Sequence, residues 1–142
     1  MEPRVSVVTL GVANLHRARA FYEALGWSVA VEDLASHIVT FNLNGLGLAL
    51  FPVAELAEDA DLLPEVPGFR GVTLAHNVRT REEVAPLLAD AERAGGRIVK
   101  QAKETSWGGF SGYFCDPDHH LWEVCWNPGS PLAEDGSFQW QG

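Results

Sequence analysis

Cations are scarce in this chain: ten Lys and Arg stand against nineteen Asp and Glu over 142 residues, a formal net charge of -9. Nucleic-acid binding depends on neutralising phosphates with Lys and Arg, so this balance argues against a nucleic-acid partner. It argues equally against docking on an anionic membrane surface. Cysteine is scarcer still, with only Cys115 and Cys125. Two thiols are too few for a disulfide scaffold, and a reducing, cytoplasmic setting is the simple expectation. If strands pair across Asp116–His119, Cys115 lies near His120 and Cys125 near Phe110, which leaves the thiols unable to bridge. Long apolar runs are missing too. The longest uncharged stretch, Ile38 to Ala54, is broken by Asn42, Asn44, Gly45, Gly47 and Pro52, so it reads as a hairpin and not as a membrane span. The opening Met-Glu-Pro-Arg-Val lacks the basic start and apolar run of a signal peptide. Gly108, Gly109 and Gly112 are not followed by the Lys-Ser/Thr of a phosphate loop. No Ser-His-Asp or Cys-His spacing supports nucleophilic catalysis.

What is present suffices for a packed core, with 46% hydrophobic and 10% aromatic residues. The length fits one domain or two half-domains. Arg4 to Val12 reads as a strand, with Val5, Val7 and Thr9 on one face and Ser6, Val8, Leu10 and Val12 on the other. Asn14 suits a helix N-cap, and Leu15, Ala18, Phe21, Tyr22 and Leu25 follow helical spacing up to Gly26. Trp27 to Asp33 reads as a short strand. His37 to Leu43 and Leu46 to Phe51 read as a hairpin around Asn44-Gly45. Residues 53–69 form an acidic, proline-bearing linker with room for a short helical turn.

The order then repeats. Gly71 to Val78 reads as a strand, and Thr80-Arg-Glu-Glu83 as a capping box. Val84, Leu87, Leu88 and Ala91 make a helical stripe, which Pro86 should bend or loosen. Arg97 to Lys100 follows as a strand, then a loop from Gln101 to Gly108. Gly109 to Cys115 and His120 to Trp126 close the repeat as a hairpin, turning at Asp116-Pro117-Asp118-His119. Each half is thus β-α-β-β-β, and the two N-caps, Asn14 and Thr80, stand at an offset of 66. We expect a single α+β domain: module one 4–52, linker 53–69, module two 70–127 and an irregular tail 128–142, which Phe138 and Trp140 tack onto the body of this chain or across a subunit boundary.

With one face of each sheet under a helix, the free faces should roll into a half-open barrel around a cavity. Val7 and Thr9 would face it from the first half, and Thr73, Ala75 and Asn77 from the second. In the last strand Leu121, Glu123 and Cys125 share a face, and Glu123 is the one acid in an apolar run.

Thr9-Leu-Gly-Val-Ala-Asn-Leu15 and Ala20-Phe-Tyr-Glu-Ala-Leu-Gly-Trp27, with Asp116-Pro-Asp118 followed by Leu121-Trp-Glu-Val124, resemble the opening and closing motifs of the vicinal oxygen chelate superfamily. That superfamily includes glyoxalase I, extradiol dioxygenases, fosfomycin resistance enzymes and bleomycin resistance proteins. The resemblance covers residues 4 to 127. It implies the fold strongly and the activity weakly, because one fold hosts many chemistries.

Metal-using members draw ligands from the first and last strand of each half. Carried over, those positions are Val7, Ala49, Thr73 and Glu123. Only Glu123 is a good ligand for a divalent ion, and a catalytic metal normally needs about three protein ligands. We therefore expect no metal or other cofactor. Among the histidines, His16 reads as exposed, His37 as the best spare ligand, and His76 as a core residue under a helix. His119 and His120 read as turn residues. Many relatives have Gly at the place of His119, where the turn calls for φ > 0.

Without a metal, Glu123 is either a general base or hydrogen-bond acceptor on the floor of a pocket, or a carboxylate satisfied by Thr73 or Asn77. Trp107, Phe110, Tyr113 and Trp27 offer flat walls for a planar ligand, or plain core and dimer contacts. The leading expectation is a homodimeric, metal-independent binder of a small, partly aromatic molecule, similar to the bleomycin resistance type. Glu123 carries the chemistry; Val7, Thr9, Ala49, Thr73, Asn77, Trp107 and Phe110 line the site. The alternative is a metal-dependent lyase, isomerase or dioxygenase with Glu123 as one ligand. A structural or regulatory partner domain is the third class.

Overall fold

The computed structural model describes residues 1, 3, 5–33, 37–64 and 69–141. The chain divides into two units, residues 1–67 and 68–142. Arg4, the expected start of the first strand, lies outside the described residues, as do Leu34 to Ser36 and Glu65 to Gly68 of the linker.

The first unit runs β1 (Val7–Val12), α1 (Leu15–Ala24), β2 (Val29–Asp33), β3 (Ile38–Leu43), β4 (Leu46–Pro52) and α2 (Val53–Asp59). Its strands form one sheet in the order β1-β4-β3-β2, with β1 parallel to β4 and the others antiparallel. α1 starts where the Asn14 side chain accepts a hydrogen bond from the Arg17 amide at 2.8 Å. Its buried Ala18, Phe21 and Tyr22 cover the side of the sheet carrying Val39, Phe41, Leu48 and Leu50, all buried. Trp27 belongs to this core and not to a pocket wall: its ring stacks on Tyr22 at 5.2 Å and meets Phe41 edge-on. The β3–β4 hairpin turns at Asn44-Gly45, where Gly45 takes a φ of 71°, a left-handed value that glycine adopts without strain.

The helical turn expected in the linker is a two-turn helix, α2. It sits against β1 at Gly11, where a Cβ would lie 3.0 Å from Val53 and 3.3 Å from Leu56.

The second unit repeats the plan: β5 (Leu74–Asn77), α3 (Val84–Arg93), β6 (Arg97–Glu104), β7 (Phe110–Cys115) and β8 (Leu121–Trp126), in the sheet order β5-β8-β7-β6. The capping box is in place, with the Thr80 amide donating to Glu83 Oε2 at 2.6 Å. Val84, Leu88 and Ala91 bury the helix stripe over Phe114, Trp122 and Val124. Full burial of each large aliphatic residue contributes about 1.5–3 kcal/mol. Both units are therefore β-α-β-β-β modules of an α+β fold.

Three local expectations need correction. Pro86 does not fall past the first turn of α3. A 3-10 turn at Arg81–Glu83 precedes the helix, so Pro86 falls in the first α-helical turn, where a missing N–H costs nothing. β6 extends to Glu104, through the first half of the expected loop, because two β-bulges let it keep pairing with β7. The tail is irregular as expected, but Phe138 and Trp140 do not anchor it. They pack on each other edge to face at 5.0 Å, and Trp140 is 80% exposed. The tail is tied instead by Arg79, which donates to the Glu134 carbonyl at 3.0 Å, and by the Gln141 amide donating to Ser130 Oγ.

Candidate functional site

The hairpin turn decides which side chains share the face of Glu123. Pro117, Asp118 and His119 form a three-residue loop in which the His119 amide donates to the Asp116 carbonyl at 3.0 Å. His119 has a φ of 67°, the left-handed residue that completes this loop as a bulge. Buried Asp116 holds it together, accepting through Oδ1 from the amides of Asp118 and His120 at 2.9 Å each. The loop is thus one residue longer than a four-residue turn, and Cys115 pairs with Leu121 instead of His120. Cys125 accordingly faces Ser111, not Phe110, and both thiols are free and buried.

That single step moves every side chain of β7 to the other face. Tyr113 comes directly opposite Glu123, while Phe110 pairs with Trp126 on the α3 side. Phe110 there lies under the Arg81 guanidinium, 4.4 Å from the ring centre, so it stands on the face opposite Glu123. On its other flank Glu123 neighbours Ala75 of β5, which offers no polar group.

Glu123 is half-buried and stands directly across from Tyr113, whose phenol lies close enough to respond to its carboxylate. Burial first, and then the nearby Glu123 carboxylate, raise the Tyr113 pKa above its ordinary value, so the phenol keeps its proton. Burial, reinforced by the Glu123 charge, pushes the Cys125 thiol up to about 11, which removes it as a nucleophile near neutrality. Burial raises Cys115 as well. A carboxylate offers several acceptor lone pairs, so one ligand donor does not exhaust it.

Trp107 closes one end of this face. The Thr105–Gly109 turn is held by the Gly109 amide donating to Thr105 Oγ1 at 2.9 Å, and the indole folds back over Gly109. Strand alternation puts Gly109 on the side of Ser111 and Tyr113, and the indole there is 54% exposed. Asn77 pairs with Cys125, and Thr73, exposed, lies two residues before Ala75 on the same face. The second unit therefore gathers Glu123, Tyr113, Thr73, Asn77 and Trp107. Tyr113 is the partner that counting from the turn misses. The signal for it was the positive-φ position at His119, which lengthens the loop by one.

In the first unit Val7 and Thr9 lie on the face turned away from α1, both exposed, with Val7 at 55%. Ala49 pairs with Thr9 and is buried. Across Val7, Ala49, Thr73 and Glu123, two side chains have no donor atom. Among the described residues no group of three or more His, Cys, Asp or Glu gathers to hold a metal. Val7 and Ala49 of the first unit cannot ligate a divalent ion, and in the second unit Glu123 is the one carboxylate beside Thr73.

The histidines add nothing to it. His37 is exposed, with Nδ1 3.0 Å from Glu55 Oε1 of α2. His16 and His119 are exposed. His76 is exposed and not a core residue, because α3 lies chiefly over β6, β7 and β8 and leaves the edge strand β5 uncovered. Atoms around its ring still dehydrate it enough to lower its pKa below the usual histidine value, against an opposing pull from Glu83.

Comparison with known proteins follows this geometry. Residues 4–124 match the family model described as Glyoxalase/Bleomycin resistance protein/Dioxygenase superfamily. A glyoxalase-related enzyme from Fulvimarina pelagi is 37% identical, with 99% of each chain covered and a TM-score of 0.90. A glyoxalase/bleomycin resistance protein/dioxygenase family enzyme from Burkholderia phytofirmans PsJN shares the fold at 20% identity, covering 85% of this chain and 96% of its own, with a TM-score of 0.74. A lactoylglutathione lyase from Agrobacterium tumefaciens shares it at 20% identity, with 89% and 96% covered and a TM-score of 0.67. No curated protein matches the chain.

Proposed function

Because this chain belongs to the Glyoxalase/Bleomycin resistance protein/Dioxygenase superfamily, we propose that it binds a small, partly aromatic molecule without a metal ion, with Glu123 as the group that fixes it. The carrying observation is the cross-strand pair of Glu123 and Tyr113 on a sheet face without a helix over it. The carboxylate accepts a hydrogen bond from the ligand, and the phenol beside it offers a donor to the same molecule. Trp107, at the end of the same face, supplies a flat apolar surface for a ring. The donor set at Val7, Ala49, Thr73 and Glu123 supports the metal-free reading. The free thiols fit a reducing, cytoplasmic setting. The exposed Phe138–Trp140 pair offers an apolar contact for a second copy, so the protein is read as a homodimer.

The test joins metal analysis to a ligand screen. Protein purified without chelator or histidine tag should carry no stoichiometric Ni, Zn, Mn, Fe or Co by mass spectrometry. A thermal-shift screen of small aromatic molecules should give ligands whose binding disappears in Glu123→Gln and weakens roughly tenfold in Tyr113→Phe, about the value of one hydrogen bond. The melting temperature of Glu123→Gln should stay close to that of the parent. Near-stoichiometric metal, with a rise in melting temperature on refilling the stripped protein, would sink the proposal.

A further inference from the structure

The bulges in β6 have a directional effect. Without them, alternation would send Arg97 and Lys103 to one face and Lys100 to the other. With them, Arg97 pairs with Cys115, Lys100 with Tyr113 and Lys103 with Ser111, which are the β7 residues on the Glu123 face. The placement is borne out by contact at Lys100, whose Nζ lies 5.4 Å from the centre of the Tyr113 ring. Gly112 makes the second bulge possible, since a Cβ there would come within 2.9 Å of the Lys100 carbonyl and 3.0 Å of the Ala102 amide. Three of the ten cations in an acidic chain are thus aligned on one face of one strand. Among the described residues none of the three makes an ion pair, whereas Arg19, Arg81 and Arg93 do.

We infer that the ligand of the Glu123 face is an aromatic anion, whose carboxylate or phosphonate is held by Lys100 and Lys103 and whose hydrogen-bond donor reaches Glu123. This rests on the proposal that the Glu123 face binds a small molecule. Glu123 on β8 and Lys100 on β6 are two strand spacings apart, about 10 Å. A single ring with a hydroxyl at one end and an acid at the other spans that gap. Its ring lies against Tyr113 and Trp107. Edge strands also use lysines and bulges to repel other strands. That role needs charge anywhere along the edge, not on one face. β2, the matching edge of the first unit, carries Glu32 and Asp33 with no cation.

The probes are 4-hydroxyphenylacetate and its neutral isostere 4-hydroxyphenylacetamide, titrated by calorimetry. The acid should bind at least about tenfold tighter than the amide, as charge-assisted bonds require. In Lys100→Gln/Lys103→Gln the preference should vanish while amide affinity holds. Arg81→Gln, on the opposite face, should keep it. In the unmutated protein the preference should shrink between about 20 mM and about 500 mM salt, a check that needs no variant. Equal binding of acid and amide, both lost in Glu123→Gln, overturns the inference and leaves the binding proposal standing. So does a preference that survives the double substitution, or lysine variants that self-associate with the preference intact. Failure of both probes to bind overturns both.

Discussion

Tyr113 and His76 show how differently two side chains of one sheet answer to their surroundings. Tyr113 lies in the interior strand β7, where burial and the Glu123 carboxylate keep its proton in place. His76 lies on the edge strand β5, where dehydration disfavours the charged ring. The sign of its effect on stability follows from linkage. With the folded pKa below the ordinary 6.5, the unfolded chain takes up the proton first as pH falls. Its contribution is therefore complete above the ordinary histidine value and is lost as pH falls through that value toward the folded one. Urea midpoints measured between about pH 7.5 and about pH 5 should fall less steeply in His76→Gln than in the parent. Identical slopes would mean that the His76 ring is as well hydrated in the fold as outside it.

At the scale of elements, Gly112 is the position where three structures meet. Its missing side chain admits Leu88 of α3 and the bulged backbone of β6 at once, with Leu88 Cδ1 2.5 Å from where a Cβ would be. Leu88 can rotate away, but the Lys100 carbonyl and Ala102 amide cannot. Gly112→Ala should cost about 1–3 kcal/mol, the usual range for overpacking, and a thermal melt checks it. It should also disturb the cation row, so the charge preference should weaken with it. The same elements show what sequence reading reached and what it did not. Strand and helix identities, both N-caps, the Asn44-Gly45 hairpin and the duplicated order were legible, because each is written in a short local pattern of spacing or capping residues. Register was not. It depends on whether the turn holds one residue more, and His119 in a left-handed conformation supplies that residue. Hence both aromatics are legible as candidate walls, but a four-residue turn puts Phe110 on the Glu123 face where the structure has Tyr113. The bulges of β6 were hidden for the same reason, since Lys100 to Lys103 carry no residue type that marks them.

For the whole molecule, the acidic excess and the local cation row should respond to salt in opposite directions. A formal charge of -9 repels itself in any compact state, and the unfolded chain relieves that repulsion by expanding. The ion pairs cannot offset it, because Arg19–Glu32, Arg81–Glu104 and Arg93–Asp90 are all partly or fully exposed and such pairs contribute little. Salt screens the repulsion over about 10 Å at 0.1 M and more strongly above. The melting temperature should therefore rise with sodium chloride, by about 2–4 °C for each half to one kcal/mol of repulsion removed. The same ions compete for Lys100 and Lys103, so the affinity for an anionic probe should fall over the same range. A scan of both quantities in one salt series separates the two effects. Stability falling with salt would mean that the exposed ion pairs outweigh the net charge. The acidic surface would then be arranged in stabilising networks and would not be a burden on the fold.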